Sequence, residues 1–192
     1  MRYILDIKKC KFLGKGHEGR VYLTPEGFAL KIFYKNKNAN DEVSILEKVK
    51  DSNFFPKVLF IADKMVLREY IEGENIYDYL SKHGLSYNVA IEIIELVEEF
   101  KRLNFTRINI RSAHIFIDSK EKIKVIDPRK PYTKDTPYPK DIIHILIKLN
   151  LFDDFLKYLA EYNSSLLQYW SLGYDYYVKM SKKKYFIKFK IC

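Results

Sequence analysis

Apolar residues in the first seventy positions come in short runs rich in β-branched and aromatic side chains, separated by turn residues. This predicts strands over residues 3–13, 20–24, 28–34, 58–62 and 65–70, with Pro25-Glu26-Gly27 as a tight turn between the second and third. One helix interrupts them over residues 40–49, where Val43, Leu46 and Val49 share a face. Beyond Gly73 the apolar spacing lengthens to three and four residues. Helices are predicted over 75–82 and over 86–103, the latter carrying Ile91, Ile94, Val97 and Phe100. Another helix begins at 141–146, and residues 150–192 add one or two more. Leu151, Phe152, Phe155, Leu156 and Leu159, and the aromatic stretch Tyr169-Trp170-Ser171-Leu172-Gly173-Tyr174, read as core. The last alternation, Tyr185-Phe186-Ile187-Lys188-Phe189-Lys190-Ile191, predicts an edge strand with its lysines outward. No repeat or flexible linker divides the chain. A β-rich part followed by an α-rich part predicts an α+β fold built as two lobes.

Composition narrows the class. At 192 residues with 47% hydrophobic side chains the chain can bury one good core or two small ones, so it is no disordered tail. Cys10 and Cys192 stand near opposite ends and make no disulfide or metal pattern, which predicts a reducing compartment. The charged start, Arg2 to Lys9, does not read as a signal peptide, and no apolar run approaches transmembrane length. A cytoplasmic location is the expectation. The formal charge of +9 gathers at the end, with lysines at 179, 182, 183, 184, 188 and 190 and no acid after Val178. Such a tail suits nucleic acid or an anionic surface; a solvated lysine face explains it as well and is preferred.

Three of the seven glycines lie in Gly14-Lys15-Gly16-His17-Glu18-Gly19, and Lys31 follows ten residues after Val21. Glycine has no Cβ and tolerates positive φ, so a hairpin turn of this form brings its backbone close to a nucleotide's phosphates. A dinucleotide-binding loop would lead into a helix. Here strand follows strand, which excludes that geometry and points to ATP, with Lys31 on the third strand in reach of the α- and β-phosphates. Val21, two residues past the last glycine, belongs to the same candidate site.

In order over about residues 12–142, these and the following segments resemble the protein-kinase family, in a compact, RIO-like or otherwise atypical form. Glu42-Val43-Ser44-Ile45-Leu46 resembles the helix whose acid pairs with the lysine, which implies a Glu42–Lys31 pair, with Glu47 as the fallback. Arg68-Glu69-Tyr70-Ile71-Glu72-Gly73 resembles the hinge, implying that backbone groups of Glu69, Tyr70 and Ile71 meet the adenine edge. Kinases usually carry an apolar or small residue where this chain has Arg68. That arginine either turns toward the Glu42 helix or narrows the purine pocket. The implied fold is bilobal and kinase-like, one domain over 1–192, with an N-lobe of about 1–71 and a short helical C-lobe of about 72–192.

The catalytic half departs from the family pattern. Thr106-Arg107-Ile108-Asn109-Ile110-Arg111-Ser112-Ala113-His114 stands where kinases read H-R-D-x-x-x-x-N, and Val125-Ile126-Asp127-Pro128 where they read D-F-G. The resemblance then puts Asn109 at the catalytic Asp position, Arg111 facing the γ-phosphate, and His114 and Asp127 at the metal positions. It also implies that Asp141 is the buried acid holding the catalytic loop. Asp127 offers the hard oxygen that Mg²⁺ needs, whereas the imidazole of His114 suits Mn²⁺ better. Asn109 cannot take a proton, a loss worth ~10²–10⁴-fold in rate, and Asn109→Asp is expected to restore speed. No A-P-E motif follows, and only 129–140 separate the Asp127 segment from the next helix. Three readings remain: an ATP- and Mg²⁺- or Mn²⁺-dependent Ser/Thr kinase acting on a protein or small-molecule acceptor, a pseudokinase serving as a switch or scaffold, and a nucleic-acid-associated protein on a kinase scaffold.

Overall fold

A computed structural model describes residues 6–128, 131–132 and 135–189. The chain divides into two units, residues 1–73 with 124–129 and residues 74–123 with 130–192. In the first, five strands and a helix run β1 (Lys11–Lys15), β2 (Gly19–Leu23), β3 (Phe28–Phe33), α1 (Asn36–Lys48), β4 (Val58–Ala62) and β5 (Met65–Glu69). The sheet order is β1-β2-β3-β5-β4, antiparallel throughout. Pro25 and Gly27 close the β2–β3 turn as their types dictate: Gly27 donates its N–H to the Thr24 carbonyl at 3.0 Å with φ at +85°.

Two of these elements differ from the sequence expectation. The strand expected over 3–13 starts at Lys11, because Ile7–Lys9 form a 3₁₀ turn whose cap, Asp6, accepts the Lys8 N–H at 3.1 Å. A short polar side chain offers the backbone this local alternative to a ladder. Residues 3–5 lie outside the described residues. The helix expected to start at residue 40 starts at Asn36, and its buried stripe is Ala39, Glu42 and Leu46, followed by Val49, with Val43 only half-buried. A carboxylate on a buried face hides the stripe from a search for apolar residues.

The second unit holds β6 (Glu74–Asn75), α2 (Ile76–His83), α3 (Tyr87–Arg102), β7 (Ile115–Ile117), α4 (Lys140–Lys148), α5 (Phe152–Asn163) and α6 (Leu167–Phe189), while β8 (Ile123–Val125) crosses the unit boundary after Ile123. The small sheet has the order β6-β7-β8. Side chains start two of the helices: Asn75 Oδ1 accepts from the N–H of Tyr77 and Asp78, and Ser86 Oγ from that of Val89. The core is the inward face of α3, from Val89 to Phe100, with Phe155 and Leu159 of α5 and Trp170 of α6 also buried. Trp170 meets Phe155 edge-on at 4.6 Å between ring centres. Of the aromatic stretch expected in the core, Trp170 is buried, but Leu172 and Tyr174 are exposed.

The edge strand expected over 185–191 is also corrected. The backbone is helical through Phe189, and residues 190–192 lie outside the described residues. A strand needs a partner edge to bond its N–H and C=O groups, whereas extending α6 adds one internal bond per residue. Among the described residues no helix is long and apolar enough to cross a membrane. The fold is mixed α+β, a sheet-rich unit and a mainly helical one, which is compatible with a kinase-like fold.

Candidate functional site

In the first unit β3 carries Lys31 between Val21 of β2 and Val66 of β5, on the buried side of the sheet. Lys31 Nζ donates to Glu42 Oε2, and the two side chains are 9% and 5% exposed. Glu47 is exposed, so the choice between the two acids falls on Glu42. Arg68, 5% exposed on β5, places Nη1 3.5 Å from Glu42 Oε1 and donates from the same nitrogen to the Ile126 carbonyl. Glu42 Oε1 itself receives no hydrogen bond, so its attraction to Arg68 is an ion-pair contact. Lys31 Nζ also stands 4.7 Å from the centre of the Phe33 ring. Three charges, two positive and one negative, are thus held out of water together. Removing one partner of such a group costs about 3–5 kcal/mol.

The three glycines of the first hairpin differ in kind. A Cβ on Gly19 would lie 2.2 Å from the Ile32 carbonyl oxygen, so the close approach of β2 to β3 requires glycine there. At Gly14 and Gly16 a Cβ would meet nothing within 4 Å. The fold does not need glycine at those two, and open space lies over them. Gly16 N–H closes the turn onto the Gly19 carbonyl at 2.9 Å. At the far end of β5, Glu69 accepts from Lys57 N–H at 3.2 Å and Lys124 Nζ at 3.3 Å, while Tyr70 and Ile71 are half-buried. Asp127 is half-buried, and the chain just before it is fixed twice: Val125 N–H donates to the Phe54 carbonyl at 2.7 Å, and the Ile126 carbonyl accepts from Arg68.

In the second unit Asn109 faces Asp141. Its Nδ2 donates to Asp141 Oδ1 at 3.1 Å, and its Oδ1 accepts the Asp141 N–H at 2.7 Å. Thr136 supports the same loop, accepting Asn109 N–H at 3.3 Å on Oγ1 and Ile108 N–H at 3.0 Å on its carbonyl. Arg111 is exposed ahead of a 3₁₀ turn over Ser112–His114, and His114 is half-buried with its N–H on the Arg111 carbonyl at 2.9 Å. Sequence reasoning missed Thr136, whose surroundings, a short polar segment, carry no periodicity. It flagged Arg68 as out of pattern and left its direction open.

No family model matches the chain. It is 28% identical over 126 residues to YrzF of Bacillus subtilis (strain 168), a protein provisionally named a serine/threonine-protein kinase, a match that covers 62% of this chain and 59% of YrzF. It is 26% identical over 144 residues to the dual specificity protein kinase zakA of Dictyostelium discoideum, covering 64% of this chain and 18% of zakA. The chain therefore spans less than two thirds of each of these relatives. Set beside the geometry above, the likeness is to proteins named as kinases.

Proposed function

We infer that this chain is an ATP-binding, protein-kinase-like phosphotransferase of small, atypical Ser/Thr type. The observation that carries the reading is the buried Lys31–Glu42 pair, with Arg68 beside it. An ammonium has three donors, so a lysine held by one carboxylate keeps others for phosphate oxygens. Gly14 and Gly16, open where the fold leaves them free to carry side chains, suit close passage of backbone over phosphates. In this reading Val21 covers the nucleotide and backbone groups of Glu69 and Ile71 meet the adenine. A two-lobed arrangement and a cytoplasmic location belong to the same proposal.

Asp127 suits a divalent ion, since one carboxylate plus substrate phosphates is a common Mg²⁺ arrangement. Phosphates of a bound nucleotide would complete such a site. The ion, Mg²⁺ or Mn²⁺, would offset the charge on the transferred phosphoryl group. Lys31 orients the phosphates and Arg111 meets the γ-phosphate. Transfer through a loose transition state depends mostly on such positioning. One observation favours a second reading, a pseudokinase: Asn109 is committed at both ends of its amide to Asp141 and accepts no proton.

Thermal unfolding of the full chain tests both. ATP with Mg²⁺ or Mn²⁺ at a hundredfold excess over Kd should stabilise it by about 2.7 kcal/mol, roughly 5–10 °C in Tm for a chain of this size. Lys31→Met should abolish the shift, and Gly14→Ala or Gly16→Ala should shrink it without lowering the ligand-free Tm. Transfer of labelled γ-phosphate separates kinase from pseudokinase. No nucleotide-dependent shift with either metal overturns both.

A further inference from the structure

We propose that Arg68 is a positioning residue that fixes the orientation of Asp127 and couples it to the Glu42 helix, so that metal-linked nucleotide binding depends on a guanidinium that touches neither metal nor nucleotide. The link to metal rests on the reading of Asp127 above.

Arg68 sits on β5, inside the sheet between β3 and β4, opposite the small Ala29. An apolar residue would fill that place at lower cost, because a buried cation must recover its lost hydration from partners. Lys31 already satisfies Glu42 Oε2, and Arg68 adds nothing to that bond. What Arg68 adds is a bond to the Ile126 carbonyl, 58 residues along the chain. That carbonyl belongs to the peptide unit whose nitrogen is Asp127's own. A peptide is planar, so holding its oxygen fixes the plane from which the Asp127 side chain departs. The Val125 N–H, bonded to the Phe54 carbonyl at 2.7 Å, anchors the strand one residue earlier. The same Nη1 faces Glu42 Oε1 at 3.5 Å, so one guanidinium nitrogen answers both the carboxylate, as an ion-pair contact, and the carbonyl, as a donor. Displacing α1 therefore loosens the peptide before Asp127, and the reverse.

Arg68→Met keeps the length of the side chain and removes its charge and donors; Arg68→Lys keeps the charge and removes the fork, and guards against a Met variant that does not fold. Hydrogen–deuterium exchange on the ligand-free full chain should speed up at least tenfold in peptides covering 124–128 and α1, with α3 and α5 unchanged. In calorimetric titrations the gain in ATP affinity on adding Mn²⁺ should fall about tenfold, a larger loss than any in metal-free ATP affinity. Unchanged exchange at 124–128 in a folded variant overturns the proposal. Faster exchange with ATP affinity lowered equally with and without Mn²⁺ overturns the link to the metal and leaves a structural clamp. Should the unsubstituted chain bind no ATP, the kinase reading falls by that result, and exchange alone decides the clamp.

Discussion

Asn109 and Asp141 bond to each other at 2.7 and 3.1 Å, and this changes what a carboxylate at position 109 would do. From the sequence, Asn109→Asp restores a missing base and should speed transfer. In the structure it sets a second carboxylate against Asp141 Oδ1 and deletes the donor that oxygen uses. The substitution should cost about 1 kcal/mol, the low end for a polar group left without its partner, because both residues are only half-buried, and should not accelerate transfer. Melting curves of parent and variant, together with a transfer assay, check both parts. A variant as stable as the parent and faster would show that Asn109 leaves Asp141 during turnover. At this scale the sequence was legible where chemistry marks a residue: Lys31 stands out as a charge in an apolar run, and it pairs with the Glu42 that the family resemblance implied. Arg68 was visible as an anomaly, but its direction depends on a carbonyl 58 residues away that no local pattern reveals.

Helix α5 is tied to α3 by a polar contact in the second unit, Tyr162 donating its hydroxyl proton to Glu95. That bond, with some burial, raises the Tyr162 hydroxyl from 10.0 to about 12. A group whose pKa is higher folded than unfolded stabilises the fold while protonated. The contribution is whole below about pH 10 and is lost as pH rises through about 12. Tyr162→Phe should lower stability near neutral pH by a few tenths of a kcal/mol, as for an exposed interaction, and flatten the alkaline fall between pH 10 and 12, read by melting at graded pH. An unchanged alkaline limb would mean the bond does not persist in solution. Element types were legible through most of the chain because hydrophobic spacing decides them: α3 from its stripe, and β3 and β5 from their apolar runs. Failures came where side chains compete with the backbone, at Asp6, or where a charged residue occupies a buried face, at Glu42. The lysine-rich end failed for another reason. Its alternation satisfies a strand pattern but nothing in it supplies a partner strand, and α6 continues instead.

The order of the two parts, sheet then helices, followed from the change of hydrophobic period near Gly73. The return of residues 124–129 to the first unit did not, since the six residues Lys124-Val125-Ile126-Asp127-Pro128-Arg129 carry no periodicity that marks a partner. That return bears on how the protein is made. A chain leaves the ribosome from its N-terminus at about 5–20 residues per second, so Arg68 emerges about 3–12 s before the carbonyl it is built to meet. Through that interval the first unit has its five strands and its helix but also a guanidinium with no main-chain acceptor at Ile126 and an unmatched Phe54 carbonyl. The part synthesised first is completed late, and a translational pause between residues 73 and 129 would prolong its exposure. Nascent chains halted at residue 110 should remain sensitive to protease within residues 6–69, while released full-length chains should not. Equal protection in both would mean that the sheet closes without its returning segment.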